Sequence, residues 1–427
     1  MMYVKPVRIP LIALLSIMCT SCAARLMGGP DRKNSTDIPS IRAVEPANIK
    51  RIVNIESHFV KEQRKSWDVN AIRLPGREDL RSVWFIDQMQ GWVAGDRALY
   101  KTADSGQTWE QIKIDLPEDA KIGHVFFINP STGWIVIRKS GADVWEHYAD
   151  FQFWVEHTID GGRTWQLQHE EKTSDATRII FVNDQEGWVT GVRYVGSPAR
   201  SFHLLLHTLD QGQHWMDASI ELNRIAAQVW RRHATEASGE MPAIAEVYSD
   251  LVNDSIADIR TEGPLNATLL TSAGDVYRTD DGGQNWKILV ENSPDRLSWS
   301  SYYRLGVTED KLLWLASAAD SSRGIFGSLK VDQGESLRQY NLHDAFFRDV
   351  LFLSDNDVLA CGYTPLDETR PSKLTSGVLF YSCDGGNSWV ISYRNTDVRR
   401  INELNAVDPN NSWAVGDGGL VLRLIHR

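Results

Sequence analysis

Apolar residues along this chain come in short bursts separated by polar turns, and one burst pattern returns again and again. A first run, Val83-Trp84-Phe85-Ile86, leads through a polar turn to a second run opened by Gly91-Trp92-Val93. The unit recurs as Val125-Phe126-Phe127-Ile128 before Gly133-Trp134-Ile135, and as Ile179-Ile180-Phe181-Val182 before Gly187-Trp188-Val189. Weaker copies begin near Ile256, Arg304 and Asp349, and a last one runs from Leu404 through Ser412-Trp413-Ala414 to Gly416-Asp417-Gly418-Gly419. Short runs rich in aromatic and β-branched residues, bounded by turn residues, predict strands rather than helices. Seven such pairs predict a repeat architecture built from small sheets.

A second pattern follows most of the pairs: Thr or Ser, any residue, Asp, any, Gly, two more, then Trp. Its full copies carry Asp104 with Trp109, Asp160 with Trp165, Asp210 with Trp215, Asp281 with Trp286, and Asp384 with Trp389. A worn copy has Asp332 and Gly334, with Leu337 in the tryptophan position. The aspartates are 56, 50, 71, 51 and 52 residues apart. The carboxylate is expected to accept backbone N–H groups across a tight turn, and the glycine to supply a backbone angle that a side chain forbids. The tryptophan then buries a large flat surface. These Asp-boxes are therefore expected to be structural rather than catalytic or calcium-binding.

Counting closes the ring. The chain ends after the third strand of its last unit, Leu420 to Leu424, while Ser66-Trp67-Asp68-Val69 resembles the segment that follows each box. Residues 66–74 are expected to complete the final sheet beside the C-terminal strands. The predicted fold is all-β: a seven-bladed propeller of four-stranded blades over 66–427, leaving only short, protected edges.

The repeat also sorts the loops. Turns between first and second strands, and the boxes, fall on one face and are short. Extra length falls on the other, in 138–153, 193–202, 217–254 and 364–377, and long loops on a rigid scaffold are where binding concentrates. The 217–254 insertion after the third blade reads as helical. Leu222, Ile225, Ala226, Val229 and Trp230 have helical spacing, and Ile244, Val247, Tyr248 and Leu251 suggest a second helix. Trp145, Trp154, Trp230 and Trp299 are not used by the repeat and map to the long-loop face. With His147, Tyr148, Arg193, Tyr194, Arg231, Arg232 and Arg323 they form the candidate binding face, since aromatics and arginines dominate interaction hot spots. The alternative is that these side chains pack their own loops.

The ends add a location. Lys5 and Arg8 precede an apolar core from Ile9 to Met18, too short to span a bilayer, which reads as a signal peptide over 1–21. The small residues before Cys22 resemble a bacterial lipobox, so Cys22 is the expected lipidation site. Residues 22–65, polar and charge-rich, read as the lipidated cysteine and a flexible tether. The expected location is outside the inner membrane, anchored to a membrane facing the periplasm, with the outer membrane favoured because no aspartate follows Cys22, or at the cell surface. Removing Lys5 and Arg8 takes the formal charge from −11 to −13, and an acidic chain without a basic block argues against nucleic acid as partner. Cys361 and Cys383 fall out of register in neighbouring strands, so no disulfide is expected. No cofactor or metal-binding motif stands out.

Asp-boxes preceded by Gly91-Trp92-Val93-Ala94-Gly95 and Gly187-Trp188-Val189-Thr190-Gly191, and in part by Trp413-Ala414-Val415-Gly416, resemble the photosystem II assembly/stability factor family of β-propellers. The resemblance covers nearly all of 66–427. It implies a non-enzymatic scaffold that binds membrane-protein assembly intermediates; the expected partner is a membrane or envelope protein, and the aromatic long-loop face leaves a glycan as the other ligand class. The competing function is a sialidase-like glycosidase, since Asp-boxes occur there too and Ile72-Arg73-Leu74-Pro75 resembles a sialidase arginine motif. That motif lacks its aromatic residue, and its residues are already claimed by the closing strand.

Overall fold

The computed structural model describes residues 51–61, 67–139, 150–195, 200–238, 255–263, 265–291, 300–307, 311–318, 323–330, 336–354, 356–365 and 375–426. Among these the strands form seven sheets, each an antiparallel meander of four strands at its core. The innermost strands of sheets I to VII are Leu80–Phe85, Lys121–Phe127, Ser174–Phe181, Ile256–Gly263, Ser300–Val307, Phe346–Phe352 and Ile401–Asp408. Each sheet packs on the next, and sheet VII packs back on sheet I, so the ring is closed. This is the β-propeller that the repeats predict.

The seams between sheets explain the Gly-Trp motif. Trp413 of sheet VII stacks on Phe85 of sheet I with centroids 3.7 Å apart, Trp92 on Phe127 at 3.7 Å, and Trp134 on Phe181 at 3.6 Å. The same phenylalanines meet the box tryptophans Trp109, Trp165 and Trp215 edge-on. Offset and edge-to-face contacts of this kind add to simple area burial. Gly91, Gly133 and Gly187 lie under Phe85, Phe127 and Phe181 of their own sheets, and a Cβ on Gly91 would stand 2.5 Å from Phe85. Trp92, Trp134, Trp188 and Trp413 are fully buried.

Each full box closes on itself. In sheet II the Thr158 hydroxyl donates to Asp160 Oδ1 at 2.8 Å and accepts the Gly162 N–H at 2.9 Å. Asp160 also accepts the Thr164 N–H at 2.9 Å and the Thr164 hydroxyl at 2.6 Å. Asp104, Asp210, Asp281 and Asp384 make matching sets with their own flanking residues. The turn needs two successive left-handed residues, Ser105 with Gly106 in the first box and Gly161 with Gly162 in the second. It leaves a carbonyl pointing outward, and the Trp413 indole N–H of the preceding sheet donates to that of Ser105 at 3.1 Å. The worn box at 331–335 lies outside the described residues.

Ring closure follows the sequence expectation. Trp67–Arg73 pairs antiparallel with Leu420–His426 and supplies the outer strand of sheet VII. Trp67 stacks on His426 with centroids 4.5 Å apart. Helix α1, Ser219–Ser238, occupies the expected insertion after sheet III. It replaces most of an outer strand, because Met216–Asp217 pairs only with Leu206 and His207. Asn223 completes the edge by accepting from the His203 N–H and donating to the His203 carbonyl, both at 3.0 Å. The second helix expected near 244–251 lies outside the described residues. Cys361 and Cys383 are free thiols.

One expectation is corrected. The tether was expected to run to residue 65, yet Arg51–Glu56 pairs parallel with Ser336–His343, the outer strand of sheet V, and His58–Phe59 with Ser388–Trp389 in sheet VI. Between them Ser57 is buried, its hydroxyl donating to the Gly386 carbonyl at 2.6 Å. Ile55 packs into the cluster around Trp389, and Phe59 stacks on Phe380. Ile55 and Ser57 thus enter the seam between sheets V and VI, while Phe59 remains exposed beside Phe380. Ile52, Val53 and Ile55 suit a strand, and the open outer edges of these sheets provide the pairing that the local sequence could not reveal.

Candidate functional site: the axial channel mouth

Every inner strand carries a β-bulge near its N-terminal end: between Leu80 and Ser82, Ile122 and His124, Ala176 and Arg178, Ile256 and Asp258, Tyr302 and Arg304, Phe347 and Asp349, and Ile401 and Glu403. A bulge interrupts the alternation of a strand and re-aims side chains. The residues following it, Ser82, His124, Arg178, Asp258, Arg304, Asp349 and Glu403, occupy equivalent positions around the axis. Four of them tie their sheet to the next. Glu403 Oε2 accepts the Val83 N–H at 2.8 Å, Asp349 the Leu404 N–H at 2.8 Å, Asp258 the Leu305 N–H at 2.9 Å, and Ser82 Oγ the Val125 N–H at 3.2 Å.

The bulged residues and their successors line a cavity of about 200 Å³, with Arg81, Gly123, His124, Thr177, Arg178, Ala257, Arg304, Arg348, Asn402 and Glu403 around it. A second cavity, of about 100 Å³, lies along the following residues of the same strands and shares Arg178, Arg304 and Glu403. Because the bulges lie where the chain enters each inner strand from the preceding sheet, the larger cavity opens on the face of the crossovers and second-to-third-strand loops. This is the long-loop face that sequence reasoning singled out.

Charge at the mouth is arranged in pairs with one exception. Arg178 donates to Asp258 at 2.7 Å and to Glu403 at 3.2 Å, and Arg260 Nη2 lies 3.1 Å from Asp258. Arg304 pairs with Asp349 and lies 3.6 Å from Glu403, while Arg81 donates to Asp96 at 2.9 Å. Arg348 is exposed and makes no ion pair with a described residue. Burial pushes the Glu403 carboxyl up against the pull of Arg178. Burial and the neighbouring Arg178 and Arg304 hold His124 well below its ordinary value, so it is neutral. Asp258 is fully buried, but Arg260, Arg178 and Arg304 outweigh its desolvation and keep it ionised. An otherwise acidic chain therefore presents guanidinium groups around an opening at its axis.

Sequence reasoning did not find this ring. A signal was present, because a polar or charged residue stands just before the apolar run in each first strand, as in Gly123-His124-Val125, Thr177-Arg178-Ile179 and Arg348-Asp349-Val350. The residue type changes from sheet to sheet, so no motif search for identity detects it.

The expected binding residues fall into three groups. Trp145, His147, Tyr148 and Trp299 lie outside the described residues. The backbone of Trp230, Arg231 and Arg232 lies in α1 and that of Arg323 begins a strand of sheet V, with their side chains outside the description. The rest are engaged by their own sheets. Trp154 packs against the core cluster around Trp92 and Phe127. Arg193 donates to Glu171 at 2.6 Å and to Asp217 at 2.7 Å. Tyr194 packs on Phe151, with centroids 5.0 Å apart. Arg73, the core of the sialidase-like motif, donates to the Gly418 carbonyl at 3.1 Å.

No protein-family model matches the chain. Among curated proteins it is 22% identical over 320 residues to the photosystem II assembly protein Ycf48 of Thermosynechococcus vestitus, covering 61% of this chain and 84% of that protein. It is 26% identical over 142 residues to a photosystem II assembly lipoprotein Ycf48 of Synechococcus sp. strain CC9902, covering 33% of this chain and 32% of that protein. Among solved structures, one described as YCF48 bound to D1 peptide superposes with a TM-score of 0.54 at 20% identity, covering 86% of this chain and 99% of that one. A GH74 xyloglucanase from Xanthomonas campestris gives 0.54 at 14% identity, covering 83% of this chain and 53% of that one, and shares the fold alone.

Proposed function

We propose that this chain, which is similar to photosystem II assembly proteins, is a non-catalytic, membrane-tethered assembly factor that holds a peptide segment of a partner protein at the mouth of its axial channel. The observation that carries the reading is the convergence of Arg81, Arg178, Arg304 and Arg348 on one cavity in a net acidic chain, with Arg348 free of any ion pair to a described residue. Arginine matches carboxylates with paired donors and stacks on planar groups, which suits an acidic or carboxylate-bearing segment. A relative solved with a peptide bound supports a peptide as the ligand class. Acyl chains on Cys22 would supply the tether, in line with the lipoprotein name of one relative. The partner is then an envelope or membrane protein.

The glycosidase alternative is disfavoured by the same geometry. Two-carboxylate hydrolysis needs one acid and one base or nucleophile free to face a sugar. Asp258, Asp349 and Glu403 are each committed to an arginine and to a backbone N–H of a neighbouring sheet.

A photo-crosslinking residue placed at Arg348 in the membrane-anchored protein tests the reading. It is expected to capture a discrete partner peptide that the same residue at Ile159, on the opposite face, does not. Equal capture at both positions, or none at Arg348, would overturn it.

A further inference from the structure

Resting on that reading of the mouth, the geometry points to a regulator already inside it. Glu403 reaches across the axis from sheet VII. Its Oε1 lies 3.2 Å from Arg178 of sheet III, 3.6 Å from Arg304 of sheet V and 3.9 Å from His124 Nε2 of sheet II. Its other oxygen accepts the Val83 N–H of sheet I. One carboxylate thus touches four other sheets at the wall of both cavities.

Arg178 and Arg304 each already have another acidic partner. Asp258 serves Arg178 and Arg260, and Asp349 serves Arg304. Glu403 is shared between the two arginines as an additional anion, in the place an incoming carboxylate would take. We propose that Glu403 is an internal counter-ion that mimics the ligand and sets the affinity of the mouth for acidic peptide segments.

The physical consequence is a coupling to protons. A ligand carboxylate reaching Arg178 and Arg304 stands beside Glu403 in a largely desolvated site. Two carboxylates sharing such a site repel, and a single proton between them relieves the repulsion. Burial already pushes the Glu403 carboxyl upward, so it is the group that takes the proton. The other groups around it are accounted for. Asp349 and Asp258 are held by arginines, Arg260 stands behind Asp258, Arg81 is held by Asp96, Arg348 stands at the rim, and His124 is neutral. Acidic ligands accordingly bind with uptake of a proton, and bind more tightly as pH falls.

Glu403→Gln isolates the effect, because the amide oxygen still accepts the Val83 N–H while the charge is gone. The experiment is fluorescence anisotropy of labelled hexaglutamate with the full chain, at about pH 7.5 and about pH 5.5, where the probe stays largely ionised. Wild type is expected to tighten severalfold on acidification. Glu403→Gln is expected to bind roughly tenfold tighter than wild type at the higher pH and to lose the pH dependence, since a like charge is removed from beside the ligand. Arg348→Glu is expected to bind weakly at both. A Glu403→Gln protein with an unchanged melting temperature that binds no tighter overturns the counter-ion role, and weak binding by Arg348→Glu would leave the docking reading standing. Persistent pH dependence in Glu403→Gln assigns the proton to another group and also overturns it. Equal or absent binding in all three proteins overturns both readings together.

Discussion

The box face and the channel mouth of this propeller use the same elements in opposite ways. On the box face each full repeat places the same residues at the same sites, and each carboxylate is satisfied within its own turn, as Asp104 is by Thr102 and Thr108. At the mouth the equivalent site changes residue type from one sheet to the next, through Ser82, His124, Arg178, Asp258, Arg304, Asp349 and Glu403, and carboxylates and arginines are satisfied across sheets. Repeated identity answers a need that every blade has: a turn to close and a seam to fill. Equivalent positions with differing residues answer a need of the whole ring, a single asymmetric constellation at the axis.

Three perturbations test this contrast. The largest effect is expected from Trp413→Ala, which removes the stack on Phe85 and the hydrogen bond to the first box. Truncation of a fully buried aromatic is expected to cost about 3–5 kcal/mol in denaturant unfolding, with peptide binding intact in the folded fraction. A loss under about 1 kcal/mol would break the claim that the seams carry stability.

Box chemistry gives the second. Thr158→Val strands the Gly162 N–H and one bond of Asp160, and is expected to cost about 1–2 kcal/mol. The boxes also set the acid limit. The Thr108 and Thr164 side-chain and backbone bonds hold Asp104 and Asp160 at about 2, below the ordinary 3.8. Their contribution is therefore fully present above the unfolded value and is lost as pH falls through about 2. Stability is expected to be level down to about pH 4 and to fall below it, with a shallower fall in an Asp104→Asn, Asp160→Asn double variant.

The smallest stability effect belongs to Arg348→Met, expected within about 0.5 kcal/mol because the side chain is exposed and makes no ion pair to a described residue. Its binding defect should nonetheless be large. A variant that lost stability and binding together would merge the two regions that the comparison separates.

Much of this was legible in the chain. The boxes, the Gly-Trp strands and the closing role of Trp67–Arg73 follow from residues that recur with the same identity, and Leu222 and Val229 announce α1 by their spacing. The strap at Arg51–Phe59 was not legible. Its six-residue run has strand character, but its partners at Ser336–His343 are distant in sequence and do not share a local turn. The channel ring was legible only as an interruption, a polar residue ahead of each apolar run.

The sequence by itself determined the repeating sheet, the number of strand pairs and the structural duty of the box aspartates, because these depend on contacts within a repeat or between adjacent repeats. The tertiary structure decided which charges meet. Arg178, Arg304 and Glu403 belong to different sheets and come within 3.6 Å only because closure brings all inner strands around one axis. Charge pairing depends on distance in space, and in a closed ring that distance is fixed by the last strand to join.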